Sequence, residues 1–305
     1  MKTISVLILS VFFMQPLQAQ KMHIKDSAGA LILMQNDQPL LQYNYARADS
    51  VYKRSGFIHP LWAPNGDVLT NINPPDHWHH FGIWNPWTHT MFEGRETDFW
   101  NLQKKEGNVR FVKMLEKTSN NKWCGFKAQQ DHIAIDKSGN EKVALHEVWD
   151  IRAYHSDNSK RRIWDFTSVL ACASGSPLEL LQYRYGGGFG FRATADWNAE
   201  NTEILTSEGK TRDNTDSTRA RWIKMKGPNS GMVVMCGEKN FDFPQPLRVW
   251  PSNSEKGQLM MNYTPTKMKP WKLEPGIKYM QQYRVIVFTG DISVKEIEDA
   301  WKAFK

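Results

Sequence analysis

Short runs of alternating apolar and polar residues, each closed by Gly, Pro, Asn or Asp, recur through this chain and leave room for little except strands. A period of two sends every second side chain to the same face of an extended backbone. Residues 143–152 place Val143, Leu145, Trp149 and Ile151 on one face, and residues 163–170 do the same with Trp164, Phe166 and Leu170. The runs at 232–236, 259–264 and 281–288 are alike, the last setting Tyr283, Val285 and Val287 against Ile286 and Phe288. Turn chemistry at Pro64-Asn65-Gly66, Lys137-Ser138-Gly139-Asn140 and Glu274-Pro275-Gly276 separates such runs at hairpin-like intervals. The expectation is an all-β chain folded as a large antiparallel β-sandwich. One short C-terminal helix is the exception: Ser293 and Glu296 form a capping box, and Val294, Ile297, Trp301 and Phe304 share a face.

The first residues have another purpose. Lys2, the apolar run 4–14 and Leu17-Gln18-Ala19 are the three parts of a secretory signal peptide, with cleavage expected near Ala19 and a periplasmic or secreted destination. No later run approaches eighteen apolar residues, so no transmembrane helix is expected. Removing residues 1–19 from 305 leaves 286, read as one sandwich domain over 20–305. Cys124, Cys172 and Cys236 are odd in number and widely spaced, which argues against a disulfide framework and allows at most one bridge. The net charge of +7 is spread along the chain, and without a basic tract no nucleic-acid partner is expected. The oligomeric state is not fixed by the sequence.

Function is concentrated in residues 56–100, which hold five of the nine histidines (His59, His77, His79, His80, His89) and five of the thirteen tryptophans. Imidazoles titrate, ligate and carry protons near neutral pH, while indole faces stack on sugar rings or fill cores. If residues after Pro74-Pro75 are extended, His77 and His79 point to one side and Trp78 and His80 to the other. Such a pair is half of a metal site, to be completed by His59 or His89, so a divalent metal at the cluster is an open possibility although no cofactor is required. The competing reading is a hydrogen-bonded network of Asp76 and the histidines that pins a loop.

Residues 206–221 are polar and rich in cations. Lys210, Arg212, Arg221 and the adjoining Trp222 are candidates to face a substrate through forked hydrogen bonds, against the alternative of a solvated, self-paired loop. The run Gly186-Gly187-Gly188-Phe189-Gly190 lacks the ending of a phosphate loop; its glycines suit a bulge or close backbone approach that aims Arg192 at a cleft. Trp84 joins the candidate binding set.

Several segments together carry a family resemblance: His59-Pro60 with Pro64-x-Gly66, Asp76-His77-x-His79-His80-x-Gly82-x-Trp84, Asp98-Phe99-Trp100, residues 183–192, Ser207 to Arg212, Arg219-Ala220-Arg221-Trp222 and Asn240 to Pro244. They resemble the secreted PmoA-like family, a domain of unknown function, and the resemblance implies a supersandwich similar to galactose mutarotase and other carbohydrate-acting proteins. The methane-oxygenase label attached to that family does not fit this chain, which has no spanning segment after residue 19 and no histidine at the expected mature terminus to build a copper brace. The expectation is an exported carbohydrate-active protein. As an enzyme it would do acid/base chemistry (epimerisation, elimination or hydrolysis) on a saccharide or other small molecule with His59, His77, His79 and His80; the alternative is a non-catalytic sugar-binding or structural sandwich.

Overall fold

Strand pairing turns the alternation into antiparallel sheets in the computed structural model of the chain, which describes residues 21–46 and 53–304. The signal-peptide reading of residues 1–19 lies outside these. The first sheet has eight strands, in spatial order Met22–Ser27, Ala30–Gln35, Gln38–Asn44, Phe57–Leu61, Ile83–Trp84, Gly190–Arg192, Met260–Tyr263 and Leu247–Val249. The second, also of eight, runs Glu203–Thr206, Trp222–Lys226, Ser230–Cys236, Lys278–Thr289, Arg161–Cys172, Glu141–Tyr154, Trp123–Ile135 and Gly107–Ser119. A four-stranded sheet of Trp271–Leu273, Leu178–Leu180, Thr90–Phe92 and Arg95–Thr97 stands beside them.

The two large sheets pack face to face. Leu31, Leu41, Tyr43, Ile58, Phe191 and Met261 of the first meet Phe126, Trp149, Trp164, Phe166, Val234 and Tyr283 of the second in one dry core. Burying a side chain of this size contributes about 1.5–3 kcal/mol, so this layer dominates the stability of the fold. Trp164, Phe166 and Leu170 are buried as their spacing predicts. Val143 is not: the register shifts between Val143 and Leu145, so Ala144 and Leu145 are both buried and alternation resumes only after this bulge.

Residues 281–288 are apolar on both faces for a visible reason. Tyr283, Val285 and Val287 fill the central core, while Ile286 and Phe288 turn outward beneath the helix Val294–Phe304, meeting Ile297 and Trp301. Ser293 Oγ accepts the Glu296 N–H at 3.2 Å, as the capping motif predicts. The Glu296 carboxylate pairs with Arg161 Nε at 2.6 Å. Val294, expected on the buried face, is exposed. Cys124, Cys172 and Cys236 are free thiols. No helix among the described residues is long and apolar enough to cross a membrane.

Candidate functional site

The same alternation that builds the core delivers the site to the opposite face of the first sheet. Ile58, Ile83, Phe191, Val249 and Met261 point into the central core. Their neighbours Phe57, Trp84, Trp250 and Met260 therefore point away from it and form a second apolar layer with Phe81, Trp100 and Leu102. Above this layer lies a cleft of about 210 Å3 lined by His77, His79, His80, His89, Asp98, Trp100, Tyr183, Tyr185, Trp250 and Glu255, among others.

The three adjacent histidines do not reach the cleft from a strand. Pro74-Pro75 starts two successive tight turns, in which His77 N–H donates to Pro74 O at 2.9 Å and His80 N–H to His77 O at 3.0 Å. The expected side-by-side pairing of His77 and His79 on an extended backbone is thus replaced by a coil that gathers all three rings. Their centroids lie 5.6 Å (His77–His79), 4.7 Å (His77–His80) and 4.8 Å (His79–His80) apart. Gly82 makes the exit possible: its φ is +66°, and a Cβ there would stand 2.3 Å from the Ile58 carbonyl oxygen. Gly187 and Gly188 act similarly below Tyr185, where added Cβ atoms would strike the Trp87 ring and the Tyr263 carbonyl.

His77 is oriented by a chain of charged groups. Its Nδ1 lies 2.8 Å from Asp76 Oδ2, and the same oxygen accepts from Arg192 Nη2 at 3.2 Å. Arg192 alternates with core-facing Phe191, is 1% exposed, and lays its guanidinium 4.8 Å over the Trp250 ring. Burial works against the Asp76 carboxylate, but the His77 hydrogen bond and the Arg192 charge outweigh it and hold its pKa below the ordinary value. With an ionised Asp76 on Nδ1–H, the Nε2 of His77 carries the lone pair. Burial and the neighbouring His77 push His79 down to about 4, and burial with His79 beside it pushes His80 well below its ordinary value, so both are neutral imidazoles at neutral pH.

Tyr185 lines the same cleft as the histidines, with its ring 5.5 Å from that of Trp100. Arg248 Nη2 and Trp250 Nε1 both donate to its oxygen, at 3.0 and 3.1 Å, which leaves its own O–H to donate elsewhere. Asp98 is committed: its Oδ1 accepts the N–H groups of Trp100 and Asn101, and Lys104 Nζ lies 2.9 Å from Oδ2. His89 pairs with Glu96 at 2.6 Å and lies 3.9 Å, centroid to centroid, from Tyr183.

Of the residues expected from the sequence, His77, His79 and His80 converge, and Arg192 supports them from below. His59 stands apart from the cleft lining, with Nδ1 2.9 Å from Thr70 Oγ1. Trp84 is fully buried beneath His80, 5.3 Å from its ring. Arg212 faces inward and donates to the carbonyls of Asn198, Gly257 and Gln258, stapling the segment that carries Glu255. Arg221 and Trp222 both donate to Glu298 and hold the terminal helix. Lys210 is half-buried outside the cleft lining. Residues 206–221 do reach the neighbouring hollow, but through Asp216 and Ser217 and not through Lys210, Arg212 or Arg221. Tyr185, Arg248 and Glu255 were not foreseen, although Arg248 and Trp250 alternate legibly with Leu247 and Val249.

One atom each of Asp76, His77 and Glu255 lie within 4.8 Å of one another, the one group among the described residues with metal-ligand spacing. The set fits a dication poorly, because the Asp76 oxygen nearest His77 is already shared with the Arg192 guanidinium.

The fold is similar at low identity to several solved structures. The Slr1438 protein from Synechocystis sp. PCC 6803 is 10% identical, with 93% of this chain and 100% of that one covered and a TM-score of 0.43. A galactose mutarotase related enzyme from Lactobacillus acidophilus is 8% identical over 90% of this chain and 98% of its own, at 0.42. Heparan sulfate lyase HepC from Pedobacter heparinus is 8% identical over 87% of this chain and 34% of its own, at 0.41. Nothing about chemistry passes from these proteins to this one at such distances. No curated protein matches the chain. Residues 30–302 match a family model that bears no methane-oxygenase label, and the chain belongs to that family of unknown function, DUF6807.

Proposed function

We propose that the chain is an exported protein that acts on a saccharide by acid/base chemistry in the histidine cleft, with His77 as general base. The observation that supports this most is the sequence of contacts Arg192–Asp76–His77, a base held in one tautomer by an ionised partner that is itself anchored. Trp100, Trp250, Tyr183 and Tyr185 surround it, and aromatic faces of this kind cover the apolar C–H faces of a sugar while polar edges take hydroxyls. The volume of about 210 Å3 is below the roughly 300–1,000 Å3 of pockets for drug-sized ligands, which suits one ring at a time.

Among the reactions open to such a site, proton abstraction leading to epimerisation or elimination is favoured over hydrolysis by two carboxylates. Hydrolysis of that kind needs two free carboxyl groups flanking the bond. Asp98 is tied to two backbone N–H groups and Lys104, and Asp76 to Arg192 and His77, leaving Glu255 alone. Tyr185, its oxygen already satisfied as an acceptor, supplies the proton or the hydrogen bond to the departing or developing oxygen.

The test is a screen of mono- and oligosaccharides with product detection by NMR, run on wild type and on His77→Gln. Gln keeps size and hydrogen bonding but does not titrate, so turnover should disappear while binding stays within about threefold. A wild type that binds sugars and converts none would leave a lectin-like protein. One that does neither would remove the carbohydrate reading.

A further inference from the structure

Beside the histidine cleft lies a wider hollow of about 760 Å3, lined by Gln182, Tyr183, Arg184, Asp216, Ser217, Arg248, Lys267 and Met268. Tyr183 and Arg184 line both, so the two adjoin. Three cations face it and one anion. Asp216 Oδ1 is shared by Arg248 Nη1 at 3.0 Å, Lys267 Nζ at 3.3 Å and the Val249 N–H at 3.1 Å. Arg184 is exposed, has its guanidinium 5.1 Å over the Tyr185 ring and forms no ion pair among the described residues.

The Lys267 side chain is 6% exposed and Arg248 is 15% exposed, so two largely desolvated cations divide a single carboxylate. That arrangement is costly, since a buried charge must be compensated by geometry and countercharge. Burial lowers the Lys267 pKa, and Asp216 offsets only part of the effect. A self-neutralised surface would match cations to anions one for one; this hollow carries an excess of two positive charges beside the cleft of the proposed base.

We infer that this hollow is a subsite for an anionic group, a carboxylate or a sulfate ester, on the same saccharide chain whose neighbouring ring occupies the histidine cleft. The inference rests on the saccharide reading of the cleft and names the class of substrate: acidic polysaccharide fragments. Arg184 presents a forked donor that suits either oxyanion, while Arg248, held by Asp216 and Tyr185, and Lys267 add positive charge to the hollow.

The experiment is calorimetric titration of the full mature chain with matched pairs of oligosaccharides: oligogalacturonate against its methyl ester, and a chondroitin sulfate oligosaccharide against its desulfated form. At least tenfold tighter binding of the acid in one pair is expected, with the preference shrinking as salt rises. The pair that shows it identifies carboxylate or sulfate. Lys267→Met, in the hollow alone, should reduce that preference severalfold without weakening the neutral partner, and Arg184→Ala, at an exposed position that borders both cavities, should weaken the acidic member more than the neutral one. Equal binding of acidic and neutral members, or a preference intact in both variants, overturns the subsite and leaves the saccharide reading standing. If no member of either pair binds, the subsite is overturned, and the screen of neutral mono- and oligosaccharides decides the saccharide reading.

Discussion

His77 depends on Asp76, the preceding residue, and through it on Arg192, which lies 116 residues from Asp76 in sequence, and this dependence can be tested without knowing the substrate's linkage. Asp76→Asn preserves shape but removes the charge that fixes the tautomer of His77 and ties it to Arg192. Turnover should fall by about 10²–10⁴-fold, the range general acid–base groups command, with KM little changed. An unchanged rate would show that His77 works without Asp76. A second test concerns the two depressed imidazoles. His79 titrates near 4 in the folded chain against an ordinary 6.5, and His80 shifts the same way. The unfolded chain therefore binds more protons than the folded one below pH 6.5. Stability from keeping these rings neutral is complete above 6.5 and is lost as the pH falls toward 4. Denaturant midpoints of His79→Gln should decline less steeply across that window than those of wild type; parallel slopes would mean that His79 is not held neutral. The gathering of imidazoles was legible from composition, whereas its geometry was not. A Pro-Pro pair starts turns as readily as it ends a loop, and the hydrogen bonds from His77 to Pro74 and from His80 to His77 decide between them only in the fold.

At the scale of single elements, strands were read from the sequence more faithfully than loops, because alternation is a local consequence of burial while a loop's cations take partners the sequence does not order. Trp164 and Phe166 could be placed from spacing alone, and only the bulge at Ala144 broke the pattern for Val143. Arg212, Arg221 and Trp222 looked like a binding wall and are instead internal fasteners. Arg221 stacks 4.6 Å over Trp301 while pairing with Glu298, and Trp222 donates to the same carboxylate at 2.8 Å. Two outcomes follow for the terminal helix. Trp301→Ala should cost about 3–5 kcal/mol, as for other large aromatic deletions from a core, measured by chemical denaturation. Arg221→Ala should lower the melting temperature and leave saccharide affinity unchanged; weakened binding at unchanged stability would restore the substrate-facing reading of that residue.

Across the whole molecule, the site and the core are joined by one buried carboxylate. Glu147 lies between the sheets with no exposure and accepts hydrogen bonds from Gln130, His132, Trp149 and Ser168 of the second sheet and from Asn85, just beyond the strand Ile83–Trp84 of the first. Asn85 in turn accepts from Arg54 at 3.0 Å, and Arg54 donates equally closely to the Phe99 carbonyl, between the cleft residues Asp98 and Trp100. Burial raises the Glu147 pKa, but His132 and the donors beside it reverse the shift and bring it down to about 2. The sign is that of a depressed carboxyl: its contribution is complete above the ordinary value of 4.5 and is lost progressively as pH falls toward 2. Glu147→Gln removes the charge and turns an amide N–H₂ toward groups that are themselves donors. Breaking a buried pair in this way costs about 3–5 kcal/mol, which for a chain of this length lowers Tm by roughly 5–8 °C. The gap between wild type and Glu147→Gln in denaturant midpoint should be widest at pH 6 and should narrow steadily between pH 4.5 and 2. A gap independent of pH would mean that Glu147 is protonated in the folded chain, and the bolt between the sheets would then be a network of neutral hydrogen bonds.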